Sequence, residues 1–551
     1  MDVEKALEII DAALQEKRLN KFEKMVLSQC WEGRSYEEIA TSSDYNVGHV
    51  KNIGSQLWKK LSLAFGERVT KTNFRTVLKR YSYFQNPLRQ LAAREKENAV
   101  CLYFSNPYPQ QYWQEFIDVS YFYGRTAELA TVKTWIVQHR CRMVALLGIG
   151  GIGKTAFAVK FAQQLRDEFD YIIWRSLSHA PDLADELAAM IGFLSNHQEI
   201  TLSNDLDSRI SQLIDYLYRY RCLVILDQVE SLFESGELVG KYCQGYEDYG
   251  KLFKRFGQSL SNSCLLLTSR EKPREIALLE GEKLPIRSLQ IKGLSTAEIT
   301  KIFKLRGSFS ASEWECKTIG EYYSGNPLLL KIVATKIQEL FNGDICHFLF
   351  LQQQCNLIFD NISELLEEHF NRCSDLEKEV MYWLAINREP MSIVELQSDI
   401  LSLESKQKLP DHLISLERRS LIENNSATYT LISEVKDYVN NRLIMLIYHE
   451  ITFNKKDLIH RLCLWKYPTV ENINSEEINF ILKPIVEKLW QHFGGQANLE
   501  KRLNEILLEM RSRVSNLQGY GEINIINLQK VAAIEPKNTA KKPQASIDEC
   551  R

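Results

Sequence analysis

No apolar run in these 551 residues approaches the roughly 18 needed to span a bilayer, so no helical membrane span is expected. The start, Met1-Asp2-Val3-Glu4-Lys5, is acidic and lacks an apolar signal core, which gives no indication of export. Twelve cysteines are scattered without a CxxC pair or the Cys/His spacing of a zinc site. Most sit in apolar surroundings, as Cys222 and Cys264 do, which predicts reduced, buried thiols and a cytoplasmic address. No internal period of 20 to 50 residues is evident, so neither a solenoid nor a propeller is expected. An excess of one charge is also missing: the net charge is −3, with 45% apolar and 25% charged residues. Such a composition is that of a soluble globular protein, and the length suits about three to five domains.

What is present begins with Gly148-Ile149-Gly150-Gly151-Ile152-Gly153-Lys154-Thr155, a GxxxxGKT pattern directly after the apolar run Met143 to Leu147. Glycines let successive N–H groups point at one spot, making an anion nest for nucleotide phosphates. Lys154 can reach the β/γ-phosphates and the Thr155 hydroxyl can ligate Mg²⁺. Ala158, Phe161, Ala162 and Leu165 fall at i, i+3, i+4 and i+7, so a helix follows with its positive N-terminal end toward the phosphates. Gly148, Gly150, Gly151, Gly153, Lys154, Thr155 and Ala156 are therefore the expected nucleotide contacts. The bland alternative is a Gly-rich turn with no ligand.

Three further apolar runs, Tyr171 to Trp174, Cys222 to Leu226 and Cys264 to Leu267, show no polar alternation and are separated by helical stretches. They predict a parallel sheet covered on both faces. Ligands bind at the carboxyl ends of such strands, where Lys154/Thr155, Asp227 and Arg270 all fall. Asp227 suits a carboxylate that holds Mg²⁺ through water, against the alternative of a turn aspartate. Arg270 suits a γ-phosphate sensor, against the alternative of a surface salt-bridge arginine.

Tyr121-Phe122-Tyr123-Gly124-Arg125, ahead of the glycine loop, resembles the hydrophobic-Gly-Arg entry motif of the NB-ARC branch of STAND-class signalling NTPases. Leu223 to Asp227 resembles that family's Walker B strand, Leu265 to Arg270 its sensor-1 strand, and Gly325-Asn326-Pro327-Leu328 its Gly-x-Pro motif. A kink in an apolar helix is the alternative for Pro327. The order matches the family over roughly residues 115 to 445, most closely cyanobacterial NB-ARC proteins with an N-terminal helix-turn-helix module. The resemblance implies a multidomain α and α/β chain. Its parts would be a helix-turn-helix domain (1–85), a linker (86–115), a P-loop NTPase domain with a parallel sheet (116–290), a helical domain (291–358), a winged-helix domain (359–450), a C-terminal helical region (451–530) and a disordered tail (531–551). It further implies an ATP/ADP and Mg²⁺ switch, with Gly124, Arg125 and Pro327 on the base side and Thr155 and Asp227 at the metal. In that family the winged helix closes over ADP, and exchange for ATP opens the molecule for homo-oligomerisation.

Two positions depart from the family. A second acidic residue often follows the Walker B aspartate, but here Gln228 stands there, with Glu230 two residues on. A glutamine can orient water but is a poor base, so Lys154, Asp227, Gln228 and Arg270 form a catalytic set expected to hydrolyse slowly. The family's Met-His-Asp motif aligns with Leu431-Ile432-Ser433, so the histidine that would touch the ADP β-phosphate is absent there.

The first hundred residues carry a different signal. Ala6 to about Trp31 reads helical. Ser35 and Glu38 form a capping-box pattern, and a second helix runs from Val47 to about Leu61 with Val50, Ile53, Leu57 and Leu61 on one face. A short helix, a turn and a longer helix make a helix-turn-helix pattern, which resembles sigma-factor region 4 and LuxR-type readers. From Tyr45 to Arg94 stand ten bases (Lys51, Lys59, Lys60, Arg68, Lys71, Arg75, Lys79, Arg80, Arg89, Arg94) and one acid, Glu67, ten minus one giving +9. This asymmetry suits phosphate-backbone binding, and His49, Asn52, Ser55 and Gln56 offer polar groups on the outer side. The partner of this module is either DNA or an effector protein, and the pattern leaves both open.

Beyond the sheet, Leu294 to about Ile358 reads helical. Residues Glu377 to Ala385, Ile393 to Leu403, Leu409 to Leu421 and Thr428 to Leu431 outline a winged helix, which the resemblance makes an internal hinge rather than a DNA reader. Lys456 to Trp465, Glu476 to Phe493 and Leu499 to Leu517 read helical. Gly519 to Leu528 is taken as a remnant of the repeat array that relatives carry, an array otherwise expected to be lacking here.

Overall fold

Strands apolar on both faces need cover on both faces, and the chain supplies it. The computed structural model describes residues 10, 19, 21–31, 34–43, 46–65, 69–71, 74–75, 77–78, 110–113, 117–120, 122–196, 203, 205–306, 312–355, 359–387, 389–455, 457–465, 480–512 and 519–534. They fall into two compact units, Met1–Asn106 and Pro107–Arg551.

In the first unit, α1 (Lys21–Trp31), α2 (Tyr36–Thr41) and α3 (Val47–Phe65) make the helix-turn-helix. Ser35 caps α2 with the full reciprocal capping box to Glu38. Val50, Leu57 and Leu61 of α3 pack on Val26, Leu27, Ile39 and Phe74, while His49, Asn52, Ser55 and Gln56 lie outside. The basic face is less free than its charge count implies. Lys51 pairs with Glu37 at 2.8 Å, Lys60 with Glu23 at 3.1 Å, Lys71 covers the Tyr36 ring, and Arg75 donates to the Trp31 carbonyl. Arg68, Lys79, Arg80, Arg89 and Arg94 lie outside the described residues, as does most of the stretch expected helical ahead of Lys21.

The second unit is built on six parallel strands, β1 (Gln110–Trp113), β2 (Met143–Leu147), β3 (Tyr171–Ser176), β4 (Cys222–Asp227), β5 (Cys264–Ser269) and β6 (Ile286–Gln290), in spatial order β1-β3-β4-β5-β2-β6. The pleat sends alternate residues to two cores. Val144 and Leu146 join one with Leu223, Ile225 and Leu266, and Met143, Ala145 and Leu147 join the other with Val224, Leu226 and Leu265. Helices α4 (Thr126–Lys133), α5 (Lys154–Gln164), α6 (Leu183–Leu194), α7 (Leu206–Arg219), α8 (Asp248–Gln258) and α9 (Arg274–Leu279) complete this layer.

Both edge strands escaped the sequence reading. Gln110-Gln-Tyr-Trp113, taken as part of a linker, pairs in register with Tyr171 to Trp174. Its aromatics hold it there: Trp113 stacks on Trp174 at 5.5 Å, and Arg175 donates to the Tyr112 hydroxyl at 3.0 Å. The remainder of that segment up to residue 109 lies outside the described residues. Strand β6 (Ile-Arg-Ser-Leu-Gln) carries only two apolar residues and is buried only at Ile286, so it gives no continuous apolar run to read.

Then come α10 (Thr296–Arg306), α11 (Glu313–Tyr322), α12 (Pro327–Phe341), α13 (Ile345–Cys355) and α14 (Asp360–Asn371). A winged helix follows: α15 (Asp375–Asn387), β7 (Met391–Ser392), α16 (Ile393–Asp399), α17 (Leu403–Arg418), β8 (Ile422–Asn425) and β9 (Thr428–Leu431), with an antiparallel sheet in order β7-β9-β8. The last elements are α18 (Ser433–Phe453), α19 (Leu458–Arg461), α20 (Leu482–Phe493), α21 (Gln496–Ser512) and α22 (Gly521–Ile534). Three expectations are corrected here. Among the described residues only the short α19 forms within Lys456 to Trp465, and the supposed repeat remnant is helix α22. The tail expected to be disordered from residue 531 is helical through Ile534, where Val531 and Ala532 are buried. Asn524, fully buried on α22, fixes it by donating to the Ile459 and Leu462 carbonyls and accepting from the Leu464 N–H. Among the described residues no helix is long and apolar enough to cross a membrane, and no group of three or more His, Cys, Asp or Glu could hold a metal.

Candidate functional site

Strand β2 ends at Leu147, and the chain curls through Gly151 (φ 78°) and Gly153 (φ 97°) into α5. Lys154 is buried in this curl and its Nζ donates to the Gly148 and Ile149 carbonyls at 2.8 and 3.1 Å. Burial pushes its ammonium down to about 8, Glu230 draws it up and Arg270 pushes it further down. A desolvated ammonium hydrogen-bonded to carbonyl oxygens, beside the N-terminus of an 11-residue helix, suits a polyanion.

One parallel sheet brings the other predicted groups to the same edge. The Thr155 hydroxyl donates to the Asp227 carboxylate at 2.9 Å, and Thr268 on β5 donates to the same carboxylate. Burial pushes the Asp227 carboxyl up to about 6, against the pull of the two hydroxyls. One hydroxyl and two carboxylate oxygens side by side are hard donors of the kind Mg²⁺ takes together with water. Gln228 takes the left-handed conformation (φ 62°), gives its N–H to Thr268 Oγ1 at 3.0 Å and is exposed. The buried carboxylate beyond Asp227 is instead Glu230, which accepts from the Arg270 N–H and pairs with its guanidinium at 3.2 Å. Arg270 pairs with Glu368 as well, at 2.9 Å.

The entry motif packs against the loop from the other side. Arg125 is buried in the left-handed region (φ 61°), a conformation costing about 1–3 kcal/mol. Three contacts hold it: its N–H donates to Glu298, and its guanidinium reaches the Ile152 carbonyl and Glu128, each at 3.1–3.2 Å. At Gly124 (φ 73°) a Cβ would lie 1.5 Å from Glu298 Oε1, so only glycine fits. Pro327 does not kink a helix. It stands at the first position of α12, where its missing N–H costs nothing. Asn326 before it caps the helix and donates to the Gly150 carbonyl at 3.0 Å.

These groups line a cavity of about 860 Å³ whose walls divide by chemistry. Lys154, Thr155, Glu230 and Arg270 supply a charged wall, while Val119, Phe122, Leu294, Ile302 and Pro327 supply an apolar one. A volume of this size with one ionic and one apolar side matches a phosphorylated nucleoside. Gly150, Gly151, Gly153, Arg125, Ala156 and Gln228 also line it, whereas Gly124 and Gly148 act through the turns they permit and Asp227 through Thr155.

Sequence reasoning missed His369 and Asn326. The Gly150 N–H donates to His369 Nε2 at 2.8 Å. Burial holds the His369 imidazole well below the usual histidine range, reinforced by Arg270, Lys154, Arg372 and Arg419, and a ring that accepts at Nε2 carries its proton on Nδ1. Only its place on the buried face of α14, with Ile362, Leu366 and Phe370, hinted at this. Asn326 was legible as a cap before a proline. Ile432, the position aligned with the family histidine, lines a separate cavity beside Ile149 and Ile152.

Residues 1–81 match the family described as vWA-MoxR associated protein N-terminal HTH, and residues 125–243 match the NB-ARC domain. An uncharacterized WD repeat-containing protein of Nostoc sp. (strain PCC 7120) is 39% identical over 474 residues, covering 79% of this chain and 38% of the relative. The disease resistance protein RPV1 of Vitis rotundifolia is 26% identical over 204 residues, covering 35% of this chain and 13% of the relative. The chain thus spans a minor part of either protein's length. Of solved structures, a Walker-type ATPase of Pyrococcus abyssi aligns over 61% of this chain and 99% of its own (16% identity, TM-score 0.40). A STAND protein with a tetratricopeptide repeat sensor from Pyrococcus horikoshii aligns over 77% and 63% (15% identity, TM-score 0.32).

Proposed function

We propose that this chain, a STAND-class NB-ARC protein with an N-terminal helix-turn-helix domain, works as an ADP/ATP switch that turns over slowly and changes its assembly with the nucleotide it holds. The supporting observation is convergence. Lys154, the Thr155–Asp227 pair and Arg270 come from the ends of three neighbouring strands into one cavity with an apolar flank.

In this reading Lys154 and the loop amides bind the phosphate tail. Thr155 and Asp227 would hold Mg²⁺, which supplies charge neutralisation to the phosphates when bound. Arg270 senses the terminal phosphate, and Phe122, Ile302 and Pro327 receive the base. Slow hydrolysis follows from the groups beyond Asp227. Gln228 cannot act as a base, and the Glu230 carboxylate is committed to Arg270. Exchange then alters which contacts Arg270 keeps, and only such differential contacts can shift the molecule toward an open, oligomeric form. That opening would free the N-terminal module to engage an effector protein.

Native mass spectrometry of the chain with ADP and then a non-hydrolysable ATP analogue tests this. Retained nucleotide with a stoichiometry that changes on exchange is expected. No binding of either, or turnover on the order of tens per second, would overturn it.

A second reading, an ATP-regulated DNA-binding transcription regulator, draws on α3. Its exposed His49, Lys51, Asn52, Ser55, Gln56 and Lys59 are the side chains a recognition helix would present. DNA affinity that collapses between low and physiological salt and survives Lys154→Ala would favour it.

A further inference from the structure

The strongest unexplained feature is the set of side chains that α14 lays over the outer lip of the glycine loop. A Cβ built on Gly150 would lie 2.6 Å from His369 Nε2, 3.1 Å from Leu365 Cδ1 and 3.4 Å from Arg270 Cζ, so three side chains converge on one glycine. His369 takes the Gly150 N–H at 2.8 Å, and Glu368, the next residue back, takes the Arg270 guanidinium at 2.9 Å. Arg372, one turn on, donates to the Glu230 carbonyl and pairs with Glu271, which fixes the end of the helix. By contrast, the side chains of the inner cradle are engaged by loop and sheet: Lys154 rests on Gly148 and Ile149, and Thr155 on Asp227.

We propose that α14 makes this arrangement selective for a diphosphate, because His369 and Glu368 occupy the main-chain amide and the guanidinium that a third phosphate needs. The proposal rests on the nucleotide-switch reading above and adds to it the residues that discriminate. Two effects act together. A neutral imidazole acceptor already satisfies the Gly150 N–H, so an anionic oxygen must displace it. Arg270 is flanked by the Glu230 and Glu368 carboxylates, so its guanidinium is already paired on two sides. A third phosphate must compete with the Glu368 carboxylate for that guanidinium, and the two like charges disfavour sharing it. The inner phosphates meet neither obstacle. The coupling is opposite to that of the histidine which the family resemblance places at Ile432. That histidine would touch the nucleotide and add to its affinity, whereas His369 competes with it for a donor.

The test uses the full chain and calorimetric titration with ADP and a non-hydrolysable ATP analogue, both with Mg²⁺. Glu368→Gln alters a side chain that is 57% exposed, so the fold should persist. His369→Leu keeps the bulk but frees the Gly150 N–H, and His369→Gln keeps an acceptor there. Glu368→Gln and His369→Leu should each raise affinity for the ATP analogue roughly tenfold while ADP affinity stays within about twofold, and His369→Gln should retain the original preference. Unchanged ATP-analogue affinity in both Glu368→Gln and His369→Leu, with ADP still bound, would overturn this inference and leave the switch reading standing. Failure of the unmodified chain to bind either nucleotide would overturn both.

Discussion

Two reader-type folds sit in this chain, and they treat their second long helix in opposite ways. On α3 of the N-terminal module the polar side chains His49, Asn52, Ser55 and Gln56 face outward. In the winged helix the polar groups in the last turn of α17 and in the two residues after it point instead into the domain built on the six-stranded sheet. Ser415 Oγ accepts from the Val239 N–H at 2.9 Å, and Ser420 accepts from Gln290 at 2.7 Å. Arg419 reaches Glu271, Glu377 and the Glu237 carbonyl. The same architecture therefore serves as an outward surface in one place and as an internal joint in the other. What separates them is whether the polar residues on and just after that helix are already spent on the rest of the chain. In the joint Arg419 connects to Glu271, the residue directly after Arg270, so the end of β5 and the winged helix share one buried ionic network.

The sharpest way to break this contrast is to cut that network. Arg419 is 2% exposed and joins Glu271 at 2.7 Å and Glu377 at 3.2 Å. Burial raises the Glu271 carboxyl, and Arg419 and Arg372 draw it back down. Arg419→Met removes the guanidinium that pairs with Glu377 and leaves Glu271 with Arg372 alone, a change that costs about 3–5 kcal/mol. A drop in denaturation midpoint of that size is expected, with a parallel rise in protease cleavage between α14 and α18. A shift under 1 kcal/mol would mean the joint is held by its apolar contacts instead.

Asp227 tests the opposite kind of buried charge, one that opposes folding and that the switch reading assigns to a ligand. Its carboxyl titrates near 6 in the fold against an ordinary 3.8. Because the folded value is raised, the ionised group disfavours folding above about pH 6. That penalty fades between 6 and 3.8 and is absent below. Two pKa units correspond to roughly 3 kcal/mol. Asp227→Asn should therefore raise the melting temperature of the nucleotide-free chain at pH 7, lose that gain near pH 4, and abolish Mg²⁺-dependent nucleotide binding. A lower melting temperature at pH 7 would show that the Thr155 and Thr268 hydroxyls outweigh desolvation.

A smaller effect is expected from Ser415→Ala, which strands the buried Val239 N–H. The loss should be about 1–2 kcal/mol, read in a thermal melt. No change would place water in the gap and weaken the contrast between the two helices.

How much of this was legible in the sequence follows from the range of the forces involved. Strands β2 to β5 and the residues at their ends were readable because a doubly covered strand is a continuous apolar run, and a parallel sheet brings strand ends to one edge. The capping box at Ser35 and the apolar face of α3 were local patterns and could be read directly. Edge strand β1 was not, since Gln110-Gln-Tyr-Trp113 owes its conformation to Trp174 and Arg175, more than 60 residues away in sequence. His369 was hidden for the same reason: its partner Gly150 is 219 residues distant. Glu230 was noted but subordinated to Gln228, because position after the Walker B aspartate does not reveal which side chain turns inward. Basic charge in the N-terminal module was counted correctly, yet counting could not show that Lys51, Lys60, Lys71 and Arg75 already have local partners.

The smallest expected effect on stability is the most informative about the outward helix. Asn52, Ser55 and Gln56 are exposed on α3 and the helix is held by Val50, Leu57 and Leu61 beneath them. Replacing all three by alanine removes no buried contact and raises helix propensity, so the melt should move by no more than about 0.5 kcal/mol. If α3 reads DNA, the same triple change flattens the difference between specific and random duplexes while leaving the salt slope nearly intact, because base-edge contacts go and phosphate contacts stay. Lys59→Ala should do the reverse, weakening all duplexes alike and lowering the slope by about one. If instead the module docks an effector protein, neither change alters duplex binding. A melt displaced by several kcal/mol would show that α3 is as internally committed as α17, and the distinction between the two folds would collapse.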